Sequence, residues 1–113
     1  MDDLLDYLPL REPTFLILLS LAPGPKHGYA ILKEVEALSE GRVLLSTGTL
    51  YGAIKRLLDE GWIRRVDDPL PNGTERERKA YELTETGRRA MNAEVERLRK
   101  LVNVAQIQAA EEA

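Results

Sequence analysis

The sequence predicts a mainly α fold that carries one small β-hairpin, and three observations predict it. Four stretches in succession show helical periodicity between recognisable helix-boundary residues. Between the third and the fourth the period drops to two on both sides of an Asn72-Gly73 turn signal. The last stretch repeats an apolar residue at spacings of four and three, which leaves a stripe with no internal partner.

Taken from the N-terminus, Leu4, Leu5 and Leu8 fit one apolar helical turn before Pro9, too short to stand without tertiary support. Pro13 at the first helical position opens a firmer helix, Thr14 to Ala22, apolar nearly all round and therefore core. The stiff connection from Ala22 to Lys26 leads into His27-Gly28-Tyr29, which starts a second helix with Ile31, Leu32, Val35 and Leu38 facing inward and Gly41 as its stop. Arg42 to Leu45 has room only for a β-bridge or a small edge strand.

The stretch LSTGTLYGAIKRLLDEGWI, Leu45 to Ile63, concentrates the chemistry. Ser46 is placed as N-cap, the helix runs from Thr47 to Glu60, and Gly61 ends it. Leu50, Ile54, Leu57 and Leu58 share the face that must be buried. The opposite face holds Gly48 and Gly52 one turn apart, flanked by Thr49, Lys55 and Arg56, with Tyr51 at the border. Each exposed glycine costs a helix about 1 kcal/mol relative to alanine, so a surface that must approach the backbone is expected there. Bare N–H groups, hydroxyls and cations suit phosphate, and a helix fits the major groove of DNA. A buried helix whose glycines only relieve crowding is the competing reading.

Trp62, Arg64 and Val66 then alternate with Ile63 and Arg65 as a strand, and Arg78 to Leu83 returns as its partner with Lys79, Tyr81 and Leu83 on one face. Three helices followed by such a hairpin form a winged helix-turn-helix. Thr84 caps a long last helix whose seam is Met91, Val95, Leu98, Val102, Ala105 and Ala109, and a seam of this kind requires a second helix. The expected organisation is therefore a winged helix-turn-helix DNA-binding domain over 1–83 and a C-terminal dimerisation helix over 84–113.

Composition narrows the function. The 113 residues are 43% hydrophobic and 31% charged, which suits one globular domain and argues against disorder. With no cysteine, disulfides and thiolate metal sites are excluded, in keeping with a reducing cytoplasm. The longest apolar run, Phe15 to Leu19 with Leu21, falls far short of the ~20 residues of a membrane span. The acidic start, Met-Asp-Asp-Leu-Leu-Asp, is unlike a secretory signal, so a cytoplasmic protein without membrane contact is expected. A net charge of −3 counts against nucleic acid, yet five acids sit at the ends (Asp2, Asp3, Asp6, Glu111, Glu112), leaving 16 basic against 14 acidic residues between them. One histidine, no cysteine, and no zincin, phosphate-loop or dinucleotide motif leave no constellation for catalysis, and no cofactor or metal is expected.

Three blocks carry a resemblance: HGYAI at His27–Ile31, the whole of Leu45–Ile63, and RKAYELTETGRRAM at Arg78–Met91. In this order and spacing, over about Pro13 to Met91, the chain resembles the PadR-like family of bacterial transcriptional regulators. The resemblance implies a dimeric winged-helix repressor on a palindromic duplex operator, released by a small-molecule effector or another signal. The length matches the compact branch with one short C-terminal helix. Drug-binding members stack planar ligands on a tryptophan of that helix; here the only tryptophan is Trp62, at a strand start, so that site does not carry over.

The candidate operator contacts are Ser46, Thr47, Gly48, Thr49, Tyr51, Lys55 and Arg56, with Ser46, Thr47 and Thr49 positioning phosphates and Lys55 and Arg56 reaching base edges or phosphate. Tyr29 at the second helix start is added. So are Thr74, Arg76, Arg78 and Lys79 on the wing, where Glu75 and Glu77 dilute the charge. Arg64 and Arg65 are expected to pair with acidic neighbours such as Asp67, and His27 to be a satisfied helix-start group. Any effector pocket is expected between the last helix and the first two, near Phe15, Tyr29 and Met91. A winged-helix module that binds protein or ligand without DNA is the alternative function.

Overall fold

The computed structural model describes residues 7–67 and 79–112. Helix α1 (Glu12–Leu21) is followed by a two-residue strand β1 (Lys26–His27), α2 (Gly28–Leu38), α3 (Thr47–Asp59), strands β2 (Ile63–Asp67) and β3 (Lys79–Leu83), and the long α4 (Glu85–Glu112). The expected hairpin turn at Asn72-Gly73 and the wing residues Thr74, Arg76 and Arg78 lie outside the described residues, as do Leu4 and Leu5.

The sheet has three strands where the sequence indicated two. β3 is central, with β2 on one side in register Arg65↔Tyr81 and β1 on the other through Lys26↔Tyr81 and His27↔Ala80. The small strand expected at Arg42 to Leu45 is not formed, since 43–46 is an irregular stretch into α3; the extra strand instead lies between α1 and α2. Two residues show no periodicity, so β1 left no trace in the sequence pattern.

Helix ends follow from side-chain chemistry. Ser46 caps α3: its Oγ accepts the Thr49 backbone N–H at 3.1 Å and donates to Thr49 Oγ1 at 2.9 Å. Gly61, at φ +77°, closes that helix in a Schellman motif, with its N–H on Leu58 O and the Trp62 N–H on Leu57 O. α2 ends in the same pattern, but the left-handed position falls to Glu40 (φ 54°), with Gly41 one place later and bonded to Glu36 O at 2.8 Å. Ser39 Oγ fastens the turn by accepting the Val43 N–H at 2.9 Å.

One core joins the elements: Ile17, Leu18 and Leu21 of α1, Ile31 and Val35 of α2, Leu50, Ile54 and Leu57 of α3, then Trp62, Ile63, Tyr81, Ala90 and Met91. Leu32 and Leu58 are half-buried at its edge, and Leu38, the last residue of α2, is exposed, contrary to its inward expectation.

Residues 7–11 form a strap across the base of this core. Tyr7 meets the buried Trp62 edge-to-face, ring centroids 5.1 Å apart. On α4, Glu94 is only 3% exposed and takes two bonds from the Arg97 guanidinium, at 2.7 and 2.9 Å. The Arg97 guanidinium, helped by a backbone N–H from Leu10, holds the Glu94 carboxyl below the usual carboxylate range against the opposing effect of burial.

The expected seam on α4 divides. Met91 belongs to the chain's own core, Val95 and Leu98 are half-buried, and Val102, Ala105 and Ala109 are exposed. Larger apolar side chains are also exposed: Leu101 beside that seam, and Val104 and Ile107 on the other side of the helix.

Candidate nucleic-acid interface

The exposed side of α3 begins with the capped turn. Because Ser46 satisfies the Thr49 N–H, the helix starts cleanly, and Ser46, Thr47, Gly48 and Thr49 all lie open to solvent at its positive end. A Cβ added at Gly48 or at Gly52 would meet nothing within 4 Å. The crowding explanation for these glycines therefore fails: no neighbour in the described fold requires them.

Gly28 is different. A Cβ there would collide with the Tyr51 hydroxyl and lie 2.9 Å from its Cζ, so the half-buried Tyr51 ring packs across the start of α2. The packing places Tyr51 between the two helices and sets their relative approach. Beside it Tyr29 is 72% exposed, with Lys33 Nζ 6.0 Å from its ring centroid. His27 takes the N-cap position of α2 with extended backbone, but its side chain makes no capping hydrogen bond to the helix, unlike the satisfied helix-start group expected.

The cations sort by their partners. Lys55 extends from the exposed face and reaches Asp59 at 3.3 Å, an exposed pair worth only a few tenths of a kcal/mol, about 0.3–0.5. Arg56 is exposed and, among the described residues, meets no carboxylate. On the sheet, Arg64 pairs with Glu82 across the strands, and Arg65 with Asp67 at 3.1 Å, so both are neutralised as expected. Lys79 is half-buried opposite Asp67.

Among the described residues the main cavities are not lined by Phe15, Tyr29 or Met91, the expected place of an effector pocket; one of about 440 Å³ lies against α4 at Leu8, Ala93, Glu96, Arg97 and Lys100. Tyr29 points to solvent and Met91 is buried in the core. Two adjoining cavities of about 300 and 310 Å³ lie instead where the strap and the start of α1 meet α3, sharing Arg11, Thr14 and Arg56. The sequence pattern did not mark Arg11, because a lone arginine before a helix has no periodic or motif signature. Among the described residues no cluster of His, Cys, Asp or Glu could hold a metal, and no helix is long and apolar enough to cross a membrane.

Comparison with known proteins agrees with this architecture. A transcriptional regulator from Clostridium thermocellum superposes with a TM-score of 0.66 at 24% identity, covering 94% of each chain. A PadR family transcription regulator from Clostridium difficile gives 0.70 at 23% identity, over 88% of this chain and 99% of that one. Bacillus subtilis PadR in complex with operator DNA gives 0.64 at 26% identity, over 75% of this chain and 47% of that one. A 37.1 kDa protein of transposon TN4556 from Streptomyces fradiae is 34% identical over 91 residues, which make up 80% of this chain but only 24% of that protein, so this chain spans about a quarter of its length. The sequence profile of the transcriptional regulator PadR-like family matches residues 17–93, from the core of α1 into α4, and the chain belongs to that family.

Proposed function

We propose that this chain is a sequence-specific DNA-binding regulator that works as a homodimer on a duplex operator, acts as a repressor, and is released by a small-molecule or stress signal. The observation that carries the DNA reading is the open, glycine-notched face of α3. Gly48 and Gly52 have no neighbour, hydroxyls and N–H groups sit at the positive helix end, and Lys55 and Arg56 flank the notch. Such a face lets a backbone approach base edges and phosphates that a Cβ would hold off. The operator-bound relative from Bacillus subtilis supports the same use of the shared fold. In this reading Ser46, Thr47, Thr49, Lys55 and Arg56 contact DNA, Tyr29 reaches flanking phosphate, and Tyr51 orients the two helices.

Fluorescence anisotropy with duplexes from around the encoding locus, at several salt concentrations, tests the proposal. Specific binding should weaken by about 0.9 log units per log unit of salt for each phosphate neutralised. Absent or salt-insensitive binding would favour a protein- or ligand-binding winged helix instead. A reporter on the bound promoter should rise when the gene is deleted; a fall would make the protein an activator.

A further inference from the structure

We infer that Arg11, outside the helix-turn-helix, is a backbone-phosphate contact that extends the interface from α3 onto the start of α1. This rests on the DNA-binding reading above. Arg11 is the N-cap residue of α1, with extended backbone and its carbonyl bonded to the Phe15 N–H at 3.0 Å. It forms one wall of the cavity of about 310 Å³ whose other wall is α3, through Thr49, Gly52 and Arg56. The groove is thus continuous with the notched face: the residue that opens the notch, Gly52, also lines the groove.

Charge selects the occupant. Among the described residues neither Arg11 nor Arg56 meets a carboxylate, and both side chains are exposed. The nearest acid in sequence, Glu12, is engaged by Arg42 at 3.5 Å, and no acid lines this cavity; Glu60 lines only the adjoining one. Two arginines and two threonines, Arg11, Arg56, Thr14 and Thr49, line this one cavity, a set that suits a phosphodiester, which each guanidinium can hold with paired N–H bonds. A duplex seated on α3 presents phosphates along the flanks of the helix, where this mouth opens. The backbone beside Arg11 is anchored, since Leu10 packs against the core and its N–H bonds to the buried Glu94 of α4.

The test compares the full chain with Arg11→Gln, Arg11→Lys and, as a remote control on α4, Arg99→Gln. Binding of a cognate and a scrambled duplex is followed by anisotropy across a salt series, and folding by circular dichroism. Arg11→Gln should weaken both duplexes by the same factor, about three- to tenfold, and flatten the salt slope by about 0.9. Arg11→Lys should restore most of the slope, and Arg99→Gln should change nothing. Wild-type affinity and slope in Arg11→Gln overturn the inference and leave the DNA reading standing. A loss confined to the cognate duplex overturns it too, because Arg11 would then read bases. Relief of the Arg11 effect by millimolar inorganic phosphate without any duplex dependence would assign the groove to a free anion. No salt-dependent binding by the wild type defeats both readings together.

Discussion

Gly87 in the first turn of α4 lies so close to the backbone of Trp62 that a Cβ on it would collide with the Trp62 carbonyl and sit 2.8 Å from the carbonyl carbon. The contact belongs to a junction in which the Thr84 N–H donates to Trp62 O at 3.0 Å. Thr84 Oγ1 donates to Gly61 O at 2.6 Å and accepts the Gly87 N–H at 3.0 Å. The end of α3 and the start of α4 are therefore fastened backbone to backbone. Helix propensity alone predicts that Gly87→Ala stabilises the protein by up to about 1 kcal/mol. The junction predicts the reverse, a loss of about 2–3 kcal/mol, because backbone rather than a movable side chain must yield. Thermal or urea unfolding decides the sign.

Gly48 and Gly52 should behave oppositely. With nothing near either position, alanine there should raise stability by about 0.5–1 kcal/mol per site. The added methyls would stand where the duplex must approach, so operator affinity should fall at least tenfold. More stable proteins with unchanged affinity would mean that α3 does not insert with this face.

Lys55→Ala separates binding from folding on the same helix. Its pair with Asp59 is exposed at both ends, so the melting temperature should hold within about 2 °C while affinity drops. Equal losses in both would make the lysine structural.

Where a single residue type has one physical task, the sequence was readable. The sequence places Ser46 as the N-cap and Gly61 as the stop of α3, and both take those positions. Leu50, Ile54 and Leu57 followed from period alone. Illegible features depend on what lies across space. The strand Lys26–His27 exists because β3 passes beside it, and Glu40 adopts φ 54° because the Gly41 and Val43 N–H groups are bonded back onto α2. Tyr51 and Gly28 are 23 positions apart, so neither residue alone could disclose that the ring crosses the helix start. Met91 fits the heptad seam by spacing, yet the first turns of α4 pack on α1, which claims it for the core.

The Glu94–Arg97 pair predicts an acid-sensitive fold. The folded carboxyl titrates below its unfolded value of about 4.3, so its contribution is fully present at neutral pH and is lost as pH falls below that value through the folded one. Glu94→Gln should cost about 1–3 kcal/mol at pH 7, since it weakens the bond to the Leu10 N–H and strands Arg97. The variant's stability should also vary less than that of the wild type between pH 5 and 3. Parallel pH profiles would place the acid sensitivity elsewhere.

The C-terminal half of α4 yields the prediction on assembly. Leu101, Val102, Val104 and Ile107 are each about half exposed or more, at 54, 53, 49 and 59%. Residues 101–111 touch little of the chain's own core, so one helix here leaves a broad apolar surface in water. Pairing with the same helix of a second copy would cover the side that carries Leu101 and the seam of Val95, Leu98, Val102, Ala105 and Ala109, while Val104 and Ile107 lie round the helix from it. Val102→Asp and Leu101→Asp should then each yield monomers in light scattering, with helical content and the unfolding of the rest of the chain retained, while Val104→Asp, on the other side of the helix, should leave the dimer intact. Ala109→Asp, near the end and with the least area to lose, should weaken the dimer only slightly. If Val104→Asp dissociates the pair as Val102→Asp does, the interface wraps further round α4 than the heptad seam. If all three remain dimeric, α4 is not what joins the subunits.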